Sequence, residues 1–185
     1  MTMAEHAPES DGGPLTYDVF ETPLGLVGVL ATSRGVRRTT LPEPTTEAAM
    51  SALGTGLGVA DHDPQAVEAY ARPIRAYLAG EPVDLAVVPL DRARATEFFG
   101  RAWAACRAIP AGQTRTYAWL AQAAGRPRAV RAAGQAMARN PLPLLVPCHR
   151  VVGSDGGLHG FGGSIGLPLK SRLLELERRA AAAAA

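Results

Sequence analysis

The sequence predicts an α/β (α+β) fold in which a small N-terminal mixed α/β domain is followed by a C-terminal helix-turn-helix domain. Three observations predict it: alternating apolar residues early in the chain, helix caps with helical spacing later, and a reversal of net charge between the two parts. The 185 residues suffice for two small domains with hydrophobic cores of their own. We expect a flexible tail over residues 1–14, domains over 15–91 and 92–179, and a disordered alanine tail over 180–185.

The two parts of the chain carry opposite net charge. Residues 1–91 contain five Arg and no Lys against 13 acidic residues, a net charge of −8. Residues 92–185 contain 14 basic residues against four acidic ones, a net charge of +10. This asymmetry indicates that the C-terminal part faces a polyanion. The alternative explanation is composition drift in an Arg-rich proteome.

Composition also excludes several classes of protein. No apolar run approaches the roughly 20 residues that a membrane span needs. The polar, acidic N-terminus lacks the basic and apolar regions of a signal peptide, so we expect a cytoplasmic protein that does not contact membranes. Cys106 and Cys148 are too far apart for a zinc-site pair, and a reducing compartment disfavours a disulfide. The four histidines form no ligand motif, and we expect neither a metal nor a cofactor.

The first domain is expected to contain a hairpin, two helices and a further strand. Tyr17 to Ala31 alternates and ends in Ser33-Arg34-Gly35, which predicts the hairpin, with Pro23 at an irregular point. The later elements are predicted over 46–53, over 64–79 with Gly80 as the stop signal, and over Val83 to Leu90.

Three helices are predicted in the second domain. Thr96 can cap the first, in which Phe99, Trp103 and Cys106 share an apolar face, and Pro110-Ala111-Gly112 ends it. Thr116 can cap a short second helix over Tyr117 to Ala124, closed by Gly125. Pro127 fits the first position of the third helix, which is expected to run to about Arg139 before Asn140-Pro141. Two short helices joined by a tight Gly-containing turn are typical of a helix-turn-helix.

The third helix has two different faces. An apolar stripe is formed by Val130, Ala133, Gly134 and Met137, and the opposite side carries Arg128, Arg131, Ala132, Gln135 and Arg139. Small residues beside arginines allow a helix to approach a nucleic-acid groove while the cations meet phosphates. An ordinary solvated face of an amphipathic helix remains the alternative.

Cys148 is the candidate nucleophile. A thiol attacks as thiolate, which an adjacent imidazole or a cationic site favours, and His149-Arg150 follows this cysteine directly. A lone cysteine after an apolar run is more often a small buried hydrophobe, but the flanking Pro147 and His149 argue against that here. Cys106 lies on an apolar helix face, and we assign it to the core.

The segment Pro147-Cys148-His149-Arg150-Val151 resembles the signature of the O6-alkylguanine-DNA alkyltransferases, also called methylated-DNA–protein-cysteine methyltransferases. The resemblance covers residues 92–179, whereas 15–91 resemble the family's variable N-terminal domain chiefly through Phe20 to Gly25. Further motifs in the family's order are Ile109 to Thr114, Thr116-Tyr117, Arg131 to Gly134, Asn140-Pro141 and Leu173 to Glu177. The resemblance implies a winged-helix-like arrangement of the C-terminal domain.

The resemblance also implies a reaction. A monomeric protein would transfer an alkyl group from O6-alkylguanine in double-stranded DNA to Cys148, once and irreversibly, with O4-alkylthymine as a further candidate substrate. His149 would act through a water to hold the thiolate, and Glu177 would orient the imidazole. Tyr117 would donate a hydrogen bond to the extruded guanine.

The DNA contacts implied by the resemblance lie mainly on the third helix. Arg131 would fill the stack that the rotated nucleotide vacates. Asn140 would have a structural role, tying this helix to the turn that carries Cys148. The remaining expected contacts are Tyr117, Ala132, Gly134, Gln135, Arg126 and Ser154.

The sequence departs from the family pattern in two ways. The stretch between Phe161 and Lys170 is longer than usual, with Phe161 where Tyr is common, and the N-terminal half lacks the zinc ligands of some members.

Three rival functions are considered beside this interpretation. They are a non-catalytic lesion-binding relative, which would carry Trp in place of Cys148, a thiol hydrolase with a Cys-His-Glu centre, and a helix-turn-helix transcriptional regulator.

Overall fold

A computed structural model describes residues 13–91 and 95–183 of the chain. Most of the tail expected over 1–14 and the first residues after the expected domain boundary lie outside the described residues. The mixed α/β class predicted from the sequence is confirmed, since a four-stranded sheet with two helices is followed by a mainly helical half. No helix in 13–91 or 95–183 has the length and apolar character needed to cross a membrane.

The N-terminal sheet has the strand order β3-β2-β1-β4. Antiparallel pairing joins β1 (Thr16–Thr22) to β2 (Gly25–Thr32) and β2 to β3 (Gly35–Thr39), whereas β4 (Asp61–His62) runs parallel to β1. The predicted hairpin is therefore confirmed, but its turn is at Pro23-Leu24. The Ser33-Arg34 turn leads into a third strand.

Two helices pack on opposite faces of this sheet. α1 (Thr46–Leu53) and α2 (Pro64–Leu78) match the predicted ranges closely, because Thr45 and Asp63 accept hydrogen bonds from the first turns. The sheet face that α1 covers needs a glycine at position 28, since a Cβ there would lie 2.9 Å from Cγ of Leu53 in α1. The other face, with Val27 and Val29, packs in the main core with α2.

The strand predicted over Val83 to Leu90 is wrong. Leu85–Val87 forms a 3-10 turn instead, because the Asp84 side chain accepts a hydrogen bond from the Ala86 N–H at 2.8 Å. Leu90 then forms an isolated bridge with Val36.

The helices of the C-terminal half are α3 (Glu97–Arg107), α4 (Tyr117–Ala123), α5 (Val130–Ala138) and α6 (Leu167–Ala183). The Thr96 and Thr116 hydroxyls cap α3 and α4 as predicted. The predicted start of the third helix at Pro127 is wrong, because Pro127-Arg128 forms a turn, and Arg128 therefore precedes α5. The expected disorder from Ala180 is also wrong up to Ala183, where α6 is still helical.

Burial corrects the predicted helix faces. Trp103 and Cys106 are buried in the main core as expected, while Phe99 only packs against it. On α5 the buried residues are Ala133, Ala136 and Met137; Val130 is 39% exposed and Gly134 is only partly buried. The apolar stripe predicted for α5 is therefore wrong at Gly134, which borders open space.

A second, two-stranded sheet links α4 to the segment that carries Cys148. β5 (Arg115–Thr116) pairs in parallel with β6 (Val151–Val152), so the start of α4 is held beside the residues that follow the Cys148–Arg150 3-10 turn. This short parallel pair does not test the winged-helix-like arrangement, which stays a prediction.

Candidate active site

Cys148 lies on a cavity of about 520 Å³ between the N-terminal and C-terminal halves. Tyr117, Gly134 and Asn140 line it together with Cys148. The opposite walls come from residues 38–41 with Glu43 and from the loop 160–163.

A strained turn presents Cys148 to the cavity. Leu144 has a φ of 71°, a left-handed conformation that is unfavourable for leucine and persists only when its surroundings fix it. The Asn140 side chain supplies part of that fixation, because its amide donates to the Val146 carbonyl at 2.8 Å and its oxygen accepts from the Leu142 N–H at 3.0 Å. Asn140 therefore joins the end of α5 to the turn before Cys148.

His149 and Glu177 form a buried pair behind the cysteine. Nε2 of His149 lies 2.8 Å from Oε1 of Glu177, and both residues are about fully buried, at 0% and 1% exposure. Burial lowers the pKa of His149 even though Glu177 opposes the change, so the imidazole is neutral near pH 7. An ionised Glu177 can only accept hydrogen bonds, which places the proton on Nε2 and leaves Nδ1 with its lone pair. Nδ1 has no hydrogen-bond partner among the residues that the structure describes.

Glu177 is held ionised by a group of donors from several parts of the chain. Arg150 binds it through Nη2 at 2.7 Å, the Tyr77 hydroxyl donates at 2.6 Å, and the Gly112 N–H donates at 3.0 Å. Burial alone would raise the pKa of Glu177, but the hydrogen bonds from His149 and Arg150 and the positive charge of Arg150 outweigh it and hold the pKa far below its ordinary value. The carboxylate is therefore a permanent acceptor for the imidazole.

Two opposing effects act on the thiol of Cys148. Burial raises its pKa, while a hydrogen bond from Asn140 and the positive charge of Lys170 oppose the rise. Lys170 is fully buried, and its Nζ donates to the Val151 carbonyl at 2.7 Å, which holds the cation near the cysteine turn. Cys106 differs from Cys148, since it lies in the core and burial raises its pKa well above the ordinary thiol value. Cys148 is thus the thiol with access to the cavity.

Tyr117 stands at the cavity wall as a protonated phenol. Burial raises the pKa of its hydroxyl, with a further contribution from Cys148. The hydroxyl donates to the His159 carbonyl over a long 3.4 Å, so this donor is weakly engaged. The hydroxyl can therefore rotate to donate to a ligand in the cavity, because it loses only this weak hydrogen bond.

The remaining predicted DNA-contact residues do not line this cavity, apart from Gly134. Arg131 and Gln135 are exposed on α5, and Ala132 is half-buried beside them. Arg126 is exposed in the turn before α5, with its guanidinium 5.7 Å from the Phe98 ring, and Ser154 is exposed after β6. Apart from the half-buried Ala132, these side chains are exposed on the C-terminal half.

Sequence reasoning missed three residues of the site. Tyr77 lies in α2, and no local signal in the sequence could have paired it with Glu177, 100 residues away. Arg150 stood inside the motif but was given no role. Lys170 shares a helix face with Glu177, which was a usable signal. Within 13–91 and 95–183 no group of three acidic, histidine or cysteine side chains could hold a metal.

Comparisons with known proteins give concordant matches. The family described as "6-O-methylguanine DNA methyltransferase, DNA binding domain" matches residues 97–179. The methylated-DNA–protein-cysteine methyltransferase of Mycolicibacterium paratuberculosis is 35% identical over 165 residues, covering 89% of this chain and 93% of the relative. The protein of that name from Mycobacterium leprae is 50% identical over 103 residues, covering 56% and 60%.

Solved structures agree with these matches. The O6-methylguanine methyltransferase of Mycobacterium tuberculosis has a TM-score of 0.71 at 32% identity, covering 89% of this chain and 93% of its own. A Mycobacterium tuberculosis structure determined in complex with DNA has a TM-score of 0.72 at 33% identity, covering 89% and 94%. The similarity thus extends over both halves of the fold.

Proposed function

This chain belongs to the methylated-DNA–protein-cysteine methyltransferase family, and from that premise we propose that Cys148 takes an alkyl group from a damaged base in DNA and keeps it. The protein is a DNA-repair transferase with DNA as its partner. The finer assignment is O6-alkylguanine in duplex DNA as substrate, a monomer as the acting form and the cytoplasm as its location. The observation that carries it is the placement of Cys148 on a cavity, with the neutral imidazole of His149 and the ionised Glu177 directly behind it.

The reaction is an in-line displacement at an sp3 carbon. The sulfur of Cys148 forms a bond to the alkyl carbon as the bond from that carbon to the guanine oxygen breaks, and the electron pair goes to the guanine. The thiol proton leaves through a water to Nδ1 of His149, and the guanine regains a proton on its ring. Because the product is a thioether, which water does not cleave, each protein acts once and needs no cofactor.

The roles of the neighbouring side chains follow from their contacts. His149 serves as the base because its unpartnered nitrogen is Nδ1, while Nε2 is committed to Glu177. Tyr77 and Arg150 are positioning residues that hold Glu177. The neutral Tyr117 hydroxyl is suited to donate to guanine as negative charge develops on it.

Access to the base requires the nucleotide to leave the duplex. Flipping costs a few kcal/mol, which a fitted pocket and an inserted side chain offset. The exposed face of α5 supplies Arg131 for insertion, and Gly134 lets the DNA approach the cavity mouth closely. Ala132, Gln135, Arg126 and Ser154 are the supporting contacts. We propose that residues 92–179 perform recognition and chemistry as one unit, supported by 15–91.

The test is stoichiometric labelling. A duplex that contains O6-methylguanine with a radiolabelled methyl group is incubated with the protein, and label on protein is counted. About one methyl per chain is expected for the wild type, since the thioether blocks a second turnover. Cys148→Ala should take no label, whereas the matched control Cys106→Ala should remain fully active. Continuous release of labelled product in solution would instead indicate a thiol hydrolase and would refute the proposal.

A further inference from the structure

The loop 160–166 forms one wall of the cavity and is rich in glycine. Gly160, Gly163 and Gly166 have positive φ angles of 45°, 81° and 63°. A chain with so many glycines loses much conformational entropy when it is ordered, so local contacts must hold it. Phe161 of this loop lines the cavity together with Cys148, and its ring lies 5.8 Å from Nζ of Lys170. Where the loop rests therefore determines the space around the sulfur.

The loop rests on the N-terminal half through Glu43. The Ser164 hydroxyl donates to Oε2 of Glu43 at 2.5 Å, a bond to a charged acceptor between residues that are 121 positions apart. Gly163 packs against the same place, because a Cβ on it would lie 3.2 Å from Cδ1 of Leu41 and 3.4 Å from Oε1 of Glu43. Glu43 itself is only 5% exposed.

Glu43 is a rigid anchor for this contact. Its N–H and carbonyl both pair with the backbone of Leu26 at 2.8 Å, which attaches it to β2 of the sheet. The segment 39–43 also contacts the turn before Cys148, on another wall of the cavity. The Thr39 hydroxyl donates to the Pro143 carbonyl at 2.6 Å, and the Thr39 N–H donates to the Pro141 carbonyl at 3.0 Å. Residues 39–43 therefore connect the turn before Cys148 to the loop 160–166.

We propose that Glu43 and Ser164 are positioning residues that determine which alkyl groups the site accepts, by holding the loop 160–166 against the N-terminal half. The inference rests on the proposed function, since it concerns the same sulfur and the same cavity. With the Glu43–Ser164 bond made, Phe161 confines the alkyl group beside Cys148. With the bond lost, the glycines let the loop move outward, and the cavity becomes wider and less ordered.

The two states favour different substrates. A methyl group fills little space, so its transfer depends on walls that hold the base in line with the sulfur. A benzyl group brings its own contact surface and needs room that the closed loop restricts. Loss of the bond should therefore slow methyl transfer more than benzyl transfer, changing the ratio of the two rates.

The experiment measures single-turnover transfer from two duplexes that differ only in carrying O6-methylguanine or O6-benzylguanine. Ser164→Ala should lower the methyl rate constant about 10-fold and the benzyl rate constant less than about 3-fold, as expected for loss of one charged hydrogen bond. Ser164→Thr keeps a hydroxyl and should restore the ratio, and Ser171→Ala, at an exposed serine of α6, is the control. Glu43→Ala combined with Ser164→Ala should lose no more than either change alone.

The outcomes separate this inference from the function on which it rests. A benzyl-to-methyl ratio in Ser164→Ala equal to that of the wild type overturns the role of the bond, even if both rates fall together. Wild-type protein that transfers neither group refutes the proposed function instead. A faster hydrogen exchange of loop 160–166 in Ser164→Ala, with unchanged exchange in the core, would confirm that the bond orders the loop.

Discussion

Lys170 is the residue whose charge matters most for the free thiol. Its ammonium group is buried near Cys148 and is among the effects that oppose the burial-driven rise of the thiol pKa. A cation near a thiolate stabilises the charged form, and the stabilisation is large where water is excluded. Lys170 of α6 thus supplies a counter-charge for Cys148, the nucleophile that we propose, which lies on a different segment.

Replacing that charge should change the pH profile of the thiol. Lys170→Gln keeps a donor for the Val151 carbonyl but removes the cation, so the pKa of Cys148 should rise and the thiolate fraction at neutral pH should fall. The rate of iodoacetamide alkylation against pH would then shift upward by about one pH unit or more. Cys106 does not interfere, because burial keeps it protonated.

Lys170→Arg is the matched control for this prediction. It retains a cation, so its profile should stay near that of the wild type. If the Gln and Arg variants shift equally, the effect comes from altered packing and not from charge.

At the level of single residues, the sequence could predict site residues only where they belong to a contiguous motif or to a regular helix face. Cys148 and His149 are neighbours in the chain, and Glu177 lay on a helix face that could be predicted to border the core. Tyr77 and Glu43 were beyond reach, because each acts through a contact that only the packing of the N-terminal half on the C-terminal half creates.

Among the elements, α5 is the one that, in the function we propose, joins DNA recognition to the chemistry at Cys148. Its buried side, with Ala133 and Met137, fixes it in the core, while Gly134 borders the cavity and Arg131 is exposed to solvent. A helix that is held on one side by small residues can present its other side to a groove at close range.

The position of Arg131 gives a substrate-dependent prediction. Arg131→Ala should slow alkyl transfer from duplex DNA about 10-fold or more, because the flipped state loses its inserted side chain. Reaction with free O6-benzylguanine, which needs no flipping, should change less than about 2-fold by the same reasoning. Both rates are measured by single-turnover assays on one protein preparation.

Arg172→Ala, which removes an exposed arginine of α6, serves as the control for lost positive charge. It should affect the two substrates far less than Arg131→Ala does. Equal slowing of the duplex and free-base reactions by Arg131→Ala would contradict insertion into the base stack.

Helices were predicted more accurately than strands because their ends are signalled locally. Thr45, Asp63, Thr96 and Thr116 each cap a helix through a side chain that the sequence displays. The segment Val83 to Leu90 has strand-like composition, yet the Asp84 side chain closes a turn within it. Pro127 is a valid first helical residue, but the chain uses it in the turn that separates α4 from α5.

Over the whole molecule, Glu177 connects segments that are distant in the sequence. The carboxylate on α6 contacts Tyr77 of α2, Gly112 in the turn after α3, and His149 and Arg150 behind the nucleophile. A buried charge with so many donors holds its surroundings in one arrangement. The same group of contacts thus holds His149, the base that we propose, and joins the two halves of the fold.

Acid should therefore weaken the fold through Glu177. Its pKa is far below the ordinary value of 4.5 in the folded protein, so protons bind the unfolded chain first as the pH falls below that value. The stability that Glu177 contributes is fully present above pH 4.5 and is lost progressively toward the folded pKa. Glu177→Gln should reduce the free energy of unfolding at pH 7 by about 3–5 kcal/mol, because Arg150 is left without its counter-charge.

Urea unfolding of wild type and Glu177→Gln from pH 7 to pH 3 tests this linkage. Asp91, whose pKa is lowered through Thr32 and its arginine partners against the opposing effect of burial, titrates alike in both proteins, so its contribution cancels in the difference between the two free energies. The difference therefore reports Glu177 together with its effect on His149. That difference should be constant near neutral pH and shrink below pH 4.5, since wild type loses a contribution that the variant never had. A difference that stays constant down to pH 3 would mean that Glu177 acts through shape and hydrogen bonding alone, and not as a buried anion.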